Sequence, residues 1–361
     1  MAVSIDTKEV KESRIGDLDM ANIPFGRIYS DHMLLADFAD GAWRDVRIRP
    51  YQALALDPAT AVFHYGQTIF EGMKAFIDDD ADAVLFRPRL NFERFNRSAV
   101  RMSMPEIPEE VFLGGLAELV SLDARWIPST PDASLYLRPF MIAMDEYIGV
   151  RPSETYLFMI ITCPVGPYYT EPLRVKVETE FIRAAPGGIG SAKAGGNYGG
   201  SLYPARLAQQ QGYHQLLWTD AIEHAYIEES GTMNVFFVID DTVLTPAISG
   251  TILDGVTRRS AIQILGDAGY TVVERRISVA EMVEAAEQGR LRDAFGAGTA
   301  ATIAPIRTIG HQDTDYDLPP AEEREISPFL RRRFDEIRRG ATEDRHGWVV
   351  KVEELRAKYR G

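Results

Sequence analysis

Between Arg27 and Cys163, short apolar runs alternate with segments of helical spacing. "RIYSDHMLLADF", "AVLFRP", "SLYLRPFMIAM" and "TYLFMIITC" read as strands, because β-branched and aromatic residues run continuously or alternate in them. Helices are predicted over 89–102 and 108–125. The first carries Phe92, Phe95, Ala99 and Met102 at spacings of three and four, with Asn91 as its expected N-cap and Pro105 beyond its end. "PVGPYYTEPLR" then resists regular structure, having three prolines and a glycine. Beyond it, strand-like "RVKVETEFIRA", "HQLLWTD", "HAYIEE" and "NVFFVID" mix with helices expected near 201–211, 257–268 and 279–289. The pattern divides the chain into a flexible lead over 1–22, a mixed α/β domain over 23–165, a connector over 166–177 and a second α/β domain over 178–361. The tail from Pro328 onward is charged and helical in pattern, and its arginine-rich faces are expected to be solvated.

Composition narrows the function. The 361 residues are 45% hydrophobic and 10% aromatic, enough for two domains each with its own core. Fifty-three acidic against 39 basic residues give a net charge of −14, which disfavours a nucleic-acid backbone or an anionic membrane as partner and leaves a small molecule as the first expectation. The single cysteine, Cys163, lies inside an apolar run, so neither a disulfide framework nor a thiolate metal cluster is expected, and a reducing cytoplasm fits. "MAVSIDTKEVKESRIGDLDM" lacks the basic-then-apolar build of a signal peptide.

Candidate chemistry centres on "GSAKAGGNYGG", residues 190–200, where Lys193 stands among glycines, alanines and a serine. A phosphate loop requires glycine before the lysine and a hydroxyl after it, and alanines flank Lys193 instead. "GAGTAA", which includes Gly296, Gly298 and Ala301, has the loose form of a dinucleotide fingerprint, but Pro305 and the β-favouring "TIAPI" prevent the helix that fingerprint must open. Of the seven lysines, only Lys74 and Lys193 lie among apolar or small residues. A lysine that attacks an aldehyde needs an accessible amine and room for a flat ring beside it. A solvent-reaching lysine in a flexible glycine-rich loop remains the alternative on this segment alone.

Taken in order with "FHYGQTIFEGMKAF" (63–76), "FRPRLNFERFNRS" (86–98), "SLYLRPF" (134–140), "EESGTMNVF" (228–236) and "FGAGTAA" (295–301), the chain closely resembles the branched-chain amino acid aminotransferases from about Pro24 to about Val349. The resemblance implies the two-domain D-alanine-aminotransferase-like fold (fold type IV, α+β and α/β) and pyridoxal 5'-phosphate as cofactor. It implies a Schiff base between the cofactor and Lys193, a hydrogen bond from Tyr198 to the cofactor's phenolate oxygen, and Glu229 facing the pyridine nitrogen. Glu228 beside it reads as a surface carboxylate.

For the phosphate, the resemblance points to Arg94, Thr299 and the first amides of the helix in "LDGVTRRSAIQIL", those of Val256 and Thr257. Read without the family, Arg94, Arg97 and Arg101 are one solvated basic stripe. The Thr299–Ala300 turn matches amides that receive the substrate α-carboxylate. Phe25, Tyr65, Phe70, Tyr136 and Tyr168 resemble pocket aromatics, which would otherwise read as core, and Arg138 matches the residue that meets the distal carboxylate of glutamate. Lys74 resembles a residue near the pocket entrance, and Gln215 a residue behind the site.

The implied reaction is reversible amino transfer between L-leucine, L-isoleucine or L-valine and 2-oxoglutarate, in a homodimer. Ala301 and Ala304 stand where animal members have a redox C-x-x-C, so a thiol switch is not expected. A D-amino acid or (R)-amine transaminase, or an aminodeoxychorismate lyase, shares the lysine, the glutamate and the phosphate cup, and a catalytically dead binding protein is the alternative from another class.

Overall fold

The computed structural model describes residues 4–19, 23–130 and 132–360. These residues form two compact units. The first comprises the chain up to Tyr168, Ala192–Gly196 and the residues from Glu336 onward; the second comprises Tyr169–Ser191 and Asn197–Asp335.

In the first unit, nine strands among the described residues form one sheet. At its centre Ser134–Ala143 pairs antiparallel with Tyr156–Val165, from Ser134 opposite Val165 to Ala143 opposite Tyr156. Both strands are almost wholly buried, as expected of continuous apolar runs covered on both faces. The helix Pro88–Arg101 buries Phe95, whose ring packs 5.3 Å from Phe112 and 5.5 Å from Phe158. Pro88 occupies the first turn, so Asn91 is not the N-cap; it lies buried inside the helix, and its amide serves a carboxylate described below. The expected helix over 108–125 is a π-helical turn, Glu110–Gly114, running into Gly115–Leu122 and closing as the 3-10 turn Ala124–Trp126.

Three terminal expectations differ from the structure. The described part of the lead is tied down: Asp6–Thr7 pairs in parallel with Arg47 and Ile48, the Val10 amide donates to His32 Nε2 (2.9 Å), and the Ser13 hydroxyl donates to the buried Asp31 (2.5 Å). Residues from Glu336 onward belong to the first unit, because Val349–Lys351 adds the edge strand beside Ala83–Phe86 and the helix Val352–Tyr359 buries Leu355 and Tyr359. Arg338 is 6% exposed, its guanidinium 5.0 Å from the Phe76 ring and 5.1 Å from the Phe86 ring, so this arginine of the tail is buried and not solvated.

The second unit carries another sheet of nine strands among the described residues, with both parallel and antiparallel pairs. The last residues of the expected connector are its strand Leu173–Glu178, which lies between Gln215–Thr219 and Thr302–His311. The helices Val256–Asp267 and Val279–Glu287 bury apolar faces, the second begun by Ser278, whose hydroxyl accepts from the Glu281 amide (3.0 Å). "GAGTAA" is no helix start: Leu291–Gly298 and Thr302–His311 are antiparallel strands joined by a turn, with Phe295 opposite Pro305.

Candidate active site

The backbone of Lys193 is held from both sides. The Phe70 amide donates to its carbonyl (3.0 Å), and its own amide donates to Ser98 Oγ (3.0 Å). Ala194 bridges to Ile69, and both are fully buried. A Cβ on Gly195 would come within 2.7 Å of Thr68 Cγ2. The small residues around Lys193 therefore let two chain segments approach closely, in addition to leaving space beside the amine. The lysine Nζ lies 4.8 Å from the centroid of the Phe70 ring.

Arg138 reaches the same ring, its guanidinium carbon 4.7 Å from the Phe70 centroid. It also lies 5.3 Å from the Tyr136 centroid, and Nη2 donates to the Tyr136 hydroxyl (3.0 Å). Phe25 meets Tyr136 edge-on at 5.3 Å and Tyr168 at 4.8 Å. Lys193, Phe70, Arg138, Tyr136, Phe25 and Tyr168 are thus brought together, a lysine amine and a guanidinium among aromatic rings. Lys74 stands opposite Tyr136 in strand register. Tyr65 stands apart from that chain of ring contacts: at the end of the helix Ala61–Tyr65 it gives its hydroxyl to the Ile148 carbonyl and has its ring near His64.

Arg94 parts company with its stripe. Arg97 and Arg101 are exposed, whereas Arg94 is 4% exposed and forms a two-point pair with Glu71: Nε to Oε1 (2.7 Å) and Nη2 to Oε2 (2.8 Å). Glu71 was not singled out in the sequence, although it sits inside "FEG". A buried arginine on a helix face is the kind of group an anion site uses.

In the second unit, Glu229 lies on the strand Ile227–Ser230 and is 3% exposed. Its Oε1 accepts from the Leu253 amide (2.7 Å) and faces Asn234 Nδ2 at 3.5 Å. Arg183 Nε lies 3.2 Å from its Oε2. Arg183 also donates to the Thr251 carbonyl, which fixes it under the carboxylate. Neither Arg183 nor Asn234 is legible as a site residue, since one precedes a glycine-rich loop and the other follows a turn with no spacing that marks it.

Glu228 is not a surface carboxylate: it is 8% exposed and accepts from the Thr251 hydroxyl (2.5 Å). Burial pushes its carboxyl above the usual range, against the Thr251 hydrogen bond and the charge of Arg183. Successive strand residues face opposite ways, so the two glutamates serve different surroundings.

Asn234 also fastens the segment that follows, its Nδ2 donating to the Leu253 carbonyl (2.9 Å) just ahead of the helix Val256–Asp267. Gly255 occupies the N-cap with no side-chain cap, and a Cβ there would strike Asn234 Oδ1. The Val256 and Thr257 amides precede the first intrahelical bond, where an anion is stabilised by the helix dipole. Asn234 pairs with Ala297, on the strand that leads into the Thr299–Ala300 turn. Tyr198 lies on the helix Gly195–Gln210, and Gln215 packs where a Cβ on Gly231 would be, its Nε2 donating to the Tyr169 hydroxyl (3.2 Å).

Residues 68–309 match the family model of class IV amino-transferases, and the chain belongs to that family of mixed α/β, pyridoxal-phosphate-dependent transaminases. It is 46% identical over 341 residues to branched-chain-amino-acid aminotransferase 2 of Bacillus subtilis, covering 93% of this chain and 94% of that one. Branched-chain-amino-acid transaminase 1 of the same organism is 44% identical over 339 residues, with 92% and 95% covered. Among solved structures, the branched-chain aminotransferase of the thermophilic archaeon Thermoproteus uzoniensis, determined with norvaline, superposes with a TM-score of 0.73 at 25% identity, covering 88% of this chain and 99% of that one.

The residues present suit that cofactor. Each unit by itself carries groups of the kinds the cofactor needs: the first a buried arginine and a lysine among small residues, the second a buried carboxylate and a helix start without a side-chain cap.

Proposed function

We propose that the chain transfers the amino group of L-leucine, L-isoleucine or L-valine to 2-oxoglutarate, reversibly. The observation that carries this reading is that the Lys193 amine and the Arg138 guanidinium lie 4.8 Å and 4.7 Å from one phenylalanine ring. A branched aliphatic side chain finds apolar walls there, and the second carboxylate of glutamate finds a cation. The names of the two Bacillus subtilis relatives support the same substrate class.

When bound, pyridoxal 5'-phosphate supplies an electron sink that makes the substrate Cα proton removable. Lys193 is the residue that would hold the cofactor through its Nζ, and a substrate amine would release it. Its freed Nζ would then move the proton between the substrate Cα and the cofactor's C4′, in one direction in the first half-reaction and in the other in the second. Glu229, buried beside Arg183, is assigned to the pyridine nitrogen, and Tyr198 to the phenolate oxygen. Arg94, Val256, Thr257 and Thr299 are assigned to the phosphate, and the Thr299–Ala300 turn to the α-carboxylate. Phe25, Tyr65, Phe70, Tyr136 and Tyr168 are assigned to the substrate side chain. The reading includes a cytoplasmic homodimer.

A panel of L- and D-amino acids with 2-oxoglutarate, read by keto-acid formation, tests the proposal. Activity on L-leucine, L-isoleucine and L-valine is expected; activity confined to D-enantiomers would replace it with the D-amino acid reading.

A further inference from the structure

Glu71 has no part in that scheme, yet its carboxylate is fully buried and filled with donors. Besides the two Arg94 contacts, Oε2 accepts from Asn91 Nδ2 (2.8 Å) and from the Gly72 amide (3.1 Å). Burying a carboxylate costs several kcal/mol, recovered only where geometry and additional hydrogen bonds are good, and both conditions hold here. Burial alone would raise its pKa, but the charge and hydrogen bond of Arg94, then the charge of Lys193, outweigh it and hold the group below the usual range. The main chain at this point is equally constrained: the Phe70 amide binds the Lys193 carbonyl, and the Glu71 amide binds the Pro139 carbonyl (2.7 Å).

A guanidinium is a rigid fork, and a carboxylate that takes the Nε–Nη2 edge determines the direction of what is left. Arg94 held in this way has its guanidinium plane set before any anion meets it. Without the clamp, more of the cost of ordering a long side chain would fall on the anion.

We propose that Glu71 is a positioning residue for the cofactor's phosphate, orienting Arg94 by its Nε–Nη2 edge before the cofactor arrives. The inference rests on the reading of Arg94 as a phosphate ligand.

The test is a binding titration of the cofactor-free full chain with pyridoxal 5'-phosphate and with pyridoxal, which lacks the phosphate, read by absorbance and fluorescence. Glu71→Gln is expected to weaken pyridoxal 5'-phosphate by about tenfold or more while pyridoxal changes by less than about twofold, the size of one lost charge-assisted hydrogen bond. Arg94→Gln is expected to lose at least as much for the phosphorylated ligand alone, and adding Glu71→Gln to it should cost nothing further. Glu71→Asp keeps the charge but withdraws the carboxylate by one methylene, and the same selective loss is expected; it decides the matter if melting by circular dichroism shows Glu71→Gln unfolded. Equal losses for both ligands in the Glu71 variants, with Arg94→Gln still selective, would overturn this proposal and leave the phosphate reading standing. Tighter binding of pyridoxal 5'-phosphate by Glu71→Gln would overturn it too, because the carboxylate would then be competing with the phosphate. Unchanged binding by Arg94→Gln would remove the phosphate reading and the proposal together.

Discussion

Arg138→Met separates the two substrates that one pocket must accept. Methionine keeps an unbranched stem of similar length and removes the guanidinium. The distal carboxylate of glutamate loses a charged hydrogen bond, which in a partly buried setting is worth roughly 1.5–3 kcal/mol. Arg138 is intermediate in exposure, so the middle of that range, about 2 kcal/mol, is the working figure, equivalent to about 30-fold in kcat/KM. Leucine loses only the contact between its pocket wall and the cation resting on Phe70, on the order of 0.5–1 kcal/mol or a few-fold. Stopped-flow measurement of each half-reaction, with leucine and then with 2-oxoglutarate, reads the two losses separately. The leucine step should fall a few-fold and the 2-oxoglutarate step by about 30-fold. Equal losses would refute the reasoning and mean that Arg138 holds the α-carboxylate or only braces Tyr136.

Two further outcomes follow from other parts of the molecule. Glu229→Gln should lower the rate strongly while the cofactor still binds, because the pyridine nitrogen loses its charge partner and Arg183 is left beside a neutral amide; kcat and cofactor content measured on one sample decide it, and an unchanged kcat would remove the role of Glu229. Cys163 is 5% exposed and burial pushes its thiol up to about 11, against the charge of Arg138, so the native chain should resist alkylation at pH 8 and keep its activity in mild peroxide; mass spectrometry before and after unfolding checks the first, and reversible inactivation restored by thiol would contradict the second.

Local pattern carries the longer helices and eight of the 18 strands among the described residues. The Pro88–Arg101 helix is legible because Phe95 and Ala99 repeat on one face, and "TIAPI" correctly excludes a Rossmann helix because Pro305 belongs to a strand. What pattern does not carry is pairing across long separations. Nothing near Val349 announces that it will meet Phe86, and nothing in the lead announces the parallel pair with Arg47. The same holds at the site. Arg94 looks like Arg97 until Glu71, separated from its helix by two strands, is seen to pair with it. Glu228 looks exposed until Thr251 supplies its hydrogen bond. Lys193 is the exception, since its small neighbours are themselves the local signal, and those neighbours turn out to serve close backbone approach as well as chemistry.

The central claim is that Lys193 is the residue through which the cofactor is held and the proton is moved. The most direct measurement compares the visible spectrum and the leucine:2-oxoglutarate transamination rate of the native protein with those of Lys193→Ala and Lys74→Ala. The native protein is expected to be yellow, Lys193→Ala to lose both the cofactor band and turnover, and Lys74→Ala to retain both. Normal transamination by Lys193→Ala together with its loss in Lys74→Ala would contradict it.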